Sequence, residues 1–242
     1  MINKVNNWCN IIQYSLLPAT CILCNQSGMP FRDLCQPCHA ALLRTTSHCL
    51  CCASEFSNNL LIQSLCGKCQ NKHPAFEKTY APFTHQGAIR HLIAQLKFNR
   101  TYKYSRLLGQ LLAEYIQKEA DRLPELIIPV PLHPQRYRRR GFNQTLEIGK
   151  IVAHELAIPI DSTSCQRQKN TEKQSNLTGK QRHKNIRNAF KVLSPPTATH
   201  IAIIDDVMTT GATVNELAKT LKAANRKIER IDIWVCARAQ FC

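Results

Sequence analysis

Two adjacent carboxylates and a hydroxyl-rich glycine segment are the residues of this chain best suited to binding chemistry. Asp205 and Asp206 directly follow an apolar run at residues 201–204. Carboxylates repel phosphate but bind diols or hydrated Mg²⁺, whereas hydroxyls and accessible N–H groups at a helix start bind phosphate. We therefore predict a sugar-phosphate site, whose phosphate is held by Thr209, Thr210, Gly211, Ala212 and Thr213.

The elements around this segment are predicted from its hydrophobic pattern. An unbroken apolar run is typical of a parallel strand covered on both faces, and ligands of open α/β sheets bind beyond the carboxyl ends of such strands. Apolar residues at helical spacing predict a helix over residues 214–224. The alternative interpretation is a plain turn after the strand, with Thr213 as a helix N-cap.

Cysteine pairs near the beginning of the chain indicate metal binding. Four Cys-x-x-Cys pairs are separated by ten, ten and thirteen residues. Two such pairs supply the four thiolates that Zn²⁺ prefers, and a site with four thiolates is closed and structural. We predict two zinc ions, bound by Cys21, Cys24, Cys35, Cys38, Cys49, Cys52, Cys66 and Cys69.

Other interpretations of these cysteines stay open. Disulfides are disfavoured because the thirteen cysteines are odd in number and residues 1–20 lack the pattern of a secretory signal. Sulfur ligands alone do not exclude iron. Sequential pairing of the knuckles is a hypothesis, and Cys51 is an alternative ligand. The remaining cysteines are interpreted as packing or incidental residues: Cys9, Cys165, Cys236 and Cys242.

Basic residues concentrate after the cysteine-rich segment. The chain has 32 Lys and Arg against 16 Asp and Glu. We expect Arg138, Arg139 and Arg140 to lie in a loop between a strand at residues 126–131 and a helix starting near Asn143, where they would bind an anion. The basic segment at residues 167–191 suits a pyrophosphate or several nucleic-acid phosphates, or is solvated surface. Interleaved aromatic residues suit base stacking or the core: Tyr102, Tyr104, Tyr137 and Phe142.

A change in composition near Pro74 predicts two domains, at residues 1–75 and 76–242. Periodicity predicts further helices at residues 87–98 and 107–116 and a strand at residues 231–235. An amphipathic pattern at residues 3–17 is interpreted as a helix packed on the zinc domain rather than a membrane anchor. No apolar run reaches the roughly 20 residues of a membrane span. We expect a cytoplasmic protein.

The acidic pair and the Thr-Thr-Gly-Ala-Thr segment resemble the signature of the type I phosphoribosyltransferases, which bind phosphoribosyl pyrophosphate (PRPP). The resemblance implies that Asp205 and Asp206 hold the ribose hydroxyls and that residues 209–213 hold the 5′-phosphate. It also implies Mg²⁺ with PRPP. Lys97 and the three arginines would then serve the pyrophosphate. The acceptor and the catalytic residues are not identified, so phosphoribosyl transfer stays open beside PRPP binding alone.

A wider set of motifs is similar to the ComF family of natural-competence proteins. The set comprises Leu-Lys-Phe at residues 96–98, Pro-Val-Pro-Leu at 129–132, Arg-Gly-Phe-Asn-Gln at 140–144, a Gln-x-x-Leu and Arg-x-x-Asn segment at 174–185 and the acidic loop. The resemblance implies an α/β fold in which a small double zinc-ribbon domain precedes a type I phosphoribosyltransferase-like parallel sheet domain. It also implies DNA uptake, single-stranded DNA and a helicase or recombination-mediator partner. The alternative is an active phosphoribosyltransferase of nucleobase or nucleotide metabolism.

Overall fold

The computed structural model of the chain describes residues 19–56, 64–99, 102–170 and 186–239. The chain divides into two compact units, residues 1–43 and 44–242. The first unit holds helix α1 (Gln36–Ala40), which has Pro37 in its first turn and follows the short bridges Thr20↔Ser27 and Met29↔Arg32. The division separates the two groups of cysteines from each other. A boundary near residue 75 stays a prediction.

The second unit is built on a parallel sheet. Its strands are β1 (Lys78–Tyr80), β2 (Phe83–Thr84), β3 (Leu126–Pro129), β6 (His200–Met208) and β7 (Arg230–Arg238). The order across the sheet is β1-β7-β6-β3, and β2 continues the β1 edge along β7. Strands β4 (Cys165–Arg167) and β5 (Phe190–Val192) form a separate antiparallel ribbon.

Helices connect these strands. They are α2 (Gly67–Asn71), α3 (Gly87–Asn99), α4 (Tyr102–Glu119), α5 (Pro134–Arg140), α6 (Gln144–Leu156) and α7 (Ala212–Ala224). Ile201, Ile203 and Ile233 share one buried cluster with residues of α7 and of the second cysteine group. Successive strand residues face opposite sides, so Ile204 points the other way, toward α6. The sheet is thus covered on both faces, as its apolar run requires.

The expected α/β fold class is confirmed, with differences at element ends. Strand β6 continues to Met208 because Val207 and Met208 pair with the end of β7, so both aspartates lie within the strand rather than after it. The three arginines lie in helix α5, not in a loop. Pro134 at the first helical position and Gly141 after the last explain that helix. The helix predicted at residues 3–17 lies outside the described residues.

An ion-pair network lies at the amino-terminal ends of β6 and β7. His200 Nε2 lies 2.9 Å from Asp232 Oδ2, and both residues are buried. Arg230 donates to Asp232 at 3.1 Å and to both oxygens of Asp121 at 2.8 and 2.9 Å. Tyr80 donates its hydroxyl to Asp121. This network joins β6, β7 and β1 at the end of the sheet remote from the aspartate pair.

Candidate functional site

Asp205 and Asp206 lie next to each other near the carboxyl end of the central strand β6. Because side chains alternate along a strand, the two carboxylates leave the backbone on opposite sides. The Asp206 residue is 7% exposed, and Asp205 is half-buried. The apolar residues before them anchor the strand between β3 and β7, so the position of the pair is set by the core of the sheet.

Each carboxylate has its own set of partners. Asp206 Oδ2 lies 2.8 Å from Lys97 Nζ at the end of α3 and accepts a longer contact of 3.4 Å from Gln144 Nε2. Asp205 Oδ1 accepts from the Thr145 hydroxyl at 3.2 Å and from the Asp206 N–H at 2.8 Å. The structure therefore brings Lys97 to the acidic pair, as predicted for the same site, but as an ion-pair partner of Asp206.

These surroundings separate the acidities of the two groups. Burial, and then the neighbouring Asp206 charge, raise the pKa of Asp205 to about 7. Burial also acts to raise the pKa of Asp206, but the Lys97 ammonium and its hydrogen bond outweigh that effect and lower it. One carboxylate is therefore held ionised, while the other exchanges a proton near neutral pH.

The residues after β6 form what we call the phosphate loop, residues 209–213. Gly211 has φ of 77°, and a Cβ there would lie 2.7 Å from Cε of Met208. The positive φ favours glycine, whereas the terminal methyl of Met208 could shift to accommodate a Cβ. Helix α7 begins within this loop, at Ala212, whose N–H is 3.3 Å from the Thr210 hydroxyl. The loop thus joins threonine hydroxyls to the positive end of a three-turn helix, a combination that suits a phosphate.

The three predicted arginines do not all face the site. Arg138 and Arg139 are exposed on α5, whereas Arg140 is half-buried. Burial lowers the pKa of Arg140, and the charge of Asp206 opposes that change. Arg140 therefore lies within electrostatic reach of the acidic pair. The other two arginines are available to a larger anion at the surface.

The Gly-Phe-Asn-Gln motif shapes the backbone beside the site. Gly141, with φ of 83°, ends α5 by donating its N–H to the Tyr137 carbonyl. Asn143 then caps α6, since its Oδ1 accepts from Thr145 N at 3.1 Å and its Nδ2 donates to the Val130 carbonyl at 3.2 Å. That second bond fixes the Pro-Val-Pro segment to the helix carrying Gln144 and Thr145.

Arg167 is a candidate site residue that the sequence did not single out. It lies on β4, opposite Phe190 in the ribbon, with its guanidinium 5.6 Å from the centre of that ring. The residue is only 7% exposed. Burial and the nearby Arg136 lower the pKa of Arg167 to about 10, and Asp205 opposes them. The electrostatic interaction of Arg167 with Asp205 could not be predicted from the sequence, because the two residues are far apart along the chain. Most of the basic segment between β4 and β5 lies outside the described residues.

The cysteines form two groups with the geometry of zinc sites. Within each group all Sγ atoms lie within 4.8 Å of one another, and the Cys24–Cys35 and Cys52–Cys66 sulfurs are 3.6 Å apart. Zinc–sulfur bonds of about 2.3 Å in a tetrahedron place sulfurs about 3.8 Å apart, so the thiolates fit zinc. Sequential pairing is confirmed: the first tetrad is Cys21, Cys24, Cys35 and Cys38, and the second tetrad is Cys49, Cys52, Cys66 and Cys69.

Cys51 is not part of the second tetrad. Its Sγ lies 3.6 Å from the Phe76 carbonyl oxygen, and burial raises its pKa to about 11. Cys165 and Cys236 are buried on β4 and β7, and neither belongs to a tetrad in the described part of the chain. These three thiols are accordingly packing residues.

Comparison with known proteins agrees with this architecture. A family model described as a double zinc ribbon domain matches residues 12–72. Together with the parallel sheet and the acidic pair on its central strand, this match defines a phosphoribosyltransferase-like α/β protein in which a double zinc ribbon precedes the sheet.

Relatives match nearly the whole chain. Competence protein F of Haemophilus influenzae is 32% identical over 214 residues, covering 85% of this chain and 90% of that protein. The DNA utilization protein YhgH of Salmonella typhimurium is 30% identical over 227 residues, covering 92% of this chain and 98% of the relative. Competence protein ComFC of Streptococcus pneumoniae is 28% identical over 226 residues, covering 86% of this chain and 95% of that protein. The chain belongs to the ComF family of competence proteins.

Solved structures with some likeness include phosphoribosyltransferases. A purine phosphoribosyltransferase from Pyrococcus horikoshii covers 57% of this chain and 74% of its own, with a TM-score of 0.32 and 19% identity. The glutamine PRPP amidotransferase from B. subtilis covers 54% of this chain and 25% of its own, with a TM-score of 0.36 and 13% identity. None of the helices in the described ranges has the length and hydrophobicity to cross a bilayer.

Proposed function

We propose that this protein binds PRPP with Mg²⁺ at the acidic pair and phosphate loop, and that it acts in DNA uptake, handling single-stranded DNA in the cytoplasm. One observation carries the PRPP assignment. Two carboxylates near the end of strand β6 are followed, after Val207 and Met208, by a glycine-containing loop in which a helix begins. Neither half alone requires a sugar phosphate. Their succession supplies acceptors for the ribose hydroxyls and donors for the 5′-phosphate within one short segment.

Mg²⁺ suits the same arrangement. Hard divalent cations prefer carboxylate oxygens and usually keep several waters while bridging to phosphates. The pKa of Asp205 is raised by burial, so a bound cation would favour its ionised form. Asp206 is ionised already, with Lys97 as its partner. The acidic pair therefore offers one permanent charge and one charge that ligand binding can induce.

Phosphoribosyl transfer is the second candidate function. Displacement of pyrophosphate from C1 requires cations near the leaving group more than a strong base. Lys97 pairs with Asp206, and Arg140 lies within electrostatic range of the same carboxylate, which supports such a role. The resemblance of residues 205–213 to the type I phosphoribosyltransferase signature favours it as well. Release of pyrophosphate from PRPP in the presence of a panel of bases distinguishes transfer from binding alone.

The role in DNA uptake is supported by the names of the relatives and by surface charge. The formal net charge is +16. On helix α5, exposed Arg138 and Arg139 follow Tyr137, which is 49% exposed. An aromatic ring beside guanidinium groups suits stacking on unpaired bases next to neutralised phosphates. A helicase or recombination mediator in the cytoplasm is the proposed partner, and the zinc ribbons are its proposed docking module.

Two titrations test the proposal. Calorimetry of PRPP with Mg²⁺ should show binding to the wild-type chain, and single-stranded DNA should bind with an affinity that falls as salt rises. PRPP should also weaken DNA binding if the two ligands share the end of the site near Arg140. A folded, zinc-loaded protein that binds neither ligand contradicts the proposal. If the protein binds only PRPP, the proposed handling of single-stranded DNA is wrong. If it binds only DNA, the proposed PRPP site is wrong.

A further inference from the structure

One guanidinium joins the second tetrad to the start of the phosphate loop. Arg238, at the end of β7, is 5% exposed. On one side its Nε donates to the Cys52 carbonyl at 2.9 Å and its Nη2 to the Ser54 hydroxyl at 2.8 Å. On the other side its Nη1 donates to the Met208 carbonyl at 2.9 Å and also to the Thr209 carbonyl. A further bond reaches the carbonyl of Ala239 at 2.8 Å.

The first set of acceptors belongs to the immediate surroundings of a metal ligand. Cys52 is a member of the second tetrad, and its Sγ lies 3.3 Å from the Ser54 hydroxyl. Groups that hydrogen-bond a ligating residue orient it, and the ligand in turn orients them. Arg238 and Ser54 are thus placed by the conformation of the zinc knuckle.

The second set of acceptors controls the entry to the phosphate loop. Met208 ends β6, and its Cε lies 2.7 Å from the position that a Cβ on Gly211 would take. Its carbonyl, and the next one along the chain, receive N–H groups from Arg238, which fixes the direction in which the chain leaves the strand. The loop is held from its far end too, because Asn215 on α7 accepts from Ala75 N at 2.7 Å, six residues after Cys69.

We propose that Arg238 is a positioning residue through which zinc at the second tetrad keeps the phosphate loop in its anion-binding conformation. When that tetrad loses zinc, the Cys52 backbone and the Ser54 hydroxyl move, the guanidinium loses two acceptors, and the loop loosens. None of these acceptors of Arg238 belongs to the first tetrad. The proposal rests on the proposed PRPP function for its affinity readout, whereas its conformational readout is independent of any ligand.

The first test compares two arginines on the same strand. Lysine cannot reproduce the planar fork of a guanidinium, so Arg238→Lys should weaken PRPP binding by about tenfold or more. It should also accelerate amide hydrogen exchange at residues 209–213. Arg230→Lys, at the other end of β7, is the matched control, since it also breaks charged hydrogen bonds but is remote from the loop. It should change thermal stability alone.

Two results overturn the proposal in this arm. One is a folded Arg238→Lys protein with wild-type exchange at residues 209–213, and the other is equal loosening of that segment by both variants. Should Arg238→Lys fail to fold, Ser54→Ala removes only the bridging hydroxyl and is expected to accelerate exchange at the same residues to a smaller extent. Wild-type exchange in Ser54→Ala then overturns the proposal.

The second test varies the zinc. Cys52→Ser should lower the zinc content to about one ion per chain and accelerate exchange at residues 209–213, whereas Cys21→Ser should lose one zinc ion without that effect. The amides of residues 201–204, in the core of β6, serve as an internal reference. Equal acceleration there would mean general unfolding and would overturn the coupling. If wild-type protein fails to bind PRPP while exchange still depends on the second tetrad, the proposed function fails and the coupling stands.

Discussion

The ammonium nitrogen of Lys97 lies 2.8 Å from Oδ2 of Asp206, joining the end of helix α3 to the middle of the acidic pair. The same pairing lowers the pKa of Asp206 against the effect of burial. It also means that Lys97 has to turn from this carboxylate if it is to neutralise a pyrophosphate. The acidic pair and its cation therefore form one electrostatic unit, whose response to substitution and to pH can be predicted.

Replacing both carboxylates by amides should weaken PRPP binding. Asp205→Asn with Asp206→Asn keeps the side-chain shape. It removes the negative charges that attract Mg²⁺ and that accept hydrogen bonds from the ribose hydroxyls. We expect a loss of about 1 to 3 kcal/mol for each charged hydrogen bond, measured by calorimetry with PRPP and Mg²⁺. Asp161→Asn is a matched control, because Asp161 accepts several hydrogen bonds near β4. Wild-type affinity in the double variant would contradict the assignment of the site.

PRPP affinity should rise with pH through neutrality. The pKa of Asp205 is raised to about 7, so below that pH the group carries a proton that it has to lose before it can accept ribose hydroxyls. From about pH 6 to about pH 8 the ionised fraction grows roughly tenfold, and affinity should follow, with proton release on binding. In the free protein the same raised pKa means that ionisation of Asp205 costs stability as pH rises toward about 7.

The matched measurement uses Asp205→Asn. The phosphate of the ligand also titrates near about pH 6, and that contribution remains in the variant. Calorimetry in two buffers of different ionisation enthalpy counts the protons released. Identical proton release in wild type and variant would show that Asp205 is not the titrating group.

The isolated protein should carry two zinc ions per chain. Both tetrads have the thiolate geometry of closed structural sites, and metal-binding energy in such sites is folding energy. In Cys21→Ser or Cys66→Ser the three remaining thiolates should hold their ion so weakly that it is lost on purification and the affected ribbon unfolds, as judged by elemental analysis and circular dichroism. Complete folding in a strong chelator, or the absence of zinc from the purified protein, would be incompatible with this prediction.

The arginines of helix α5 should divide between the two proposed ligands. Arg138→Gln with Arg139→Gln should weaken single-stranded DNA binding. The plot of log affinity against log salt should become flatter, with the magnitude of its negative slope smaller by about 0.7 for each DNA phosphate that the variant no longer neutralises. Arg140→Gln should mainly weaken PRPP binding, since this residue lies near Asp206.

A second double variant, at the amino-terminal ends of the strands, tests whether loss of two positive charges anywhere on the protein has the same effect. Arg226 and Lys227 are exposed in the turn before β7. Arg226→Gln with Lys227→Gln removes the same formal charge but should leave the salt slope near the wild-type value. Equal reductions by both double variants would mean that the basic excess attracts DNA without a defined surface.

Local patterns predicted the parts of the structure that depend on neighbours in sequence. The apolar run before Asp205, the spacing of apolar residues in α3, α4 and α7, and the cysteine pairs all belong to this class. Long-range pairing produced the differences. Strand β6 is longer than its apolar run because β7 extends alongside it as far as Arg238. Arg167 pairs with Phe190 in the ribbon and lies within electrostatic range of Asp205, and no periodicity in the sequence indicates either relationship.

The helix containing the three arginines is a different kind of error. The signals were present, with a proline at the first helical position and a glycine at the end. Proline in the preceding Pro-Val-Pro segment favoured a continuous loop, because the residue before a proline is biased away from helical geometry. A short helix between two punctuating residues is easily interpreted as a loop when no apolar stripe marks it.

The divided hydrogen bonding of Arg238 limits how the ribbon and the sheet could be exchanged between relatives. Cys52 and Ser54 supply two of its acceptors, and the junction of β6 with the phosphate loop supplies others. A fragment starting at residue 76 would retain every residue of the phosphoribosyl signature, yet it would leave a buried guanidinium short of acceptors. A foreign ribbon grafted in its place would need to present a carbonyl and a hydroxyl at the same two points. The second zinc knuckle and the start of the phosphate loop therefore depend on the same side chain for their conformation.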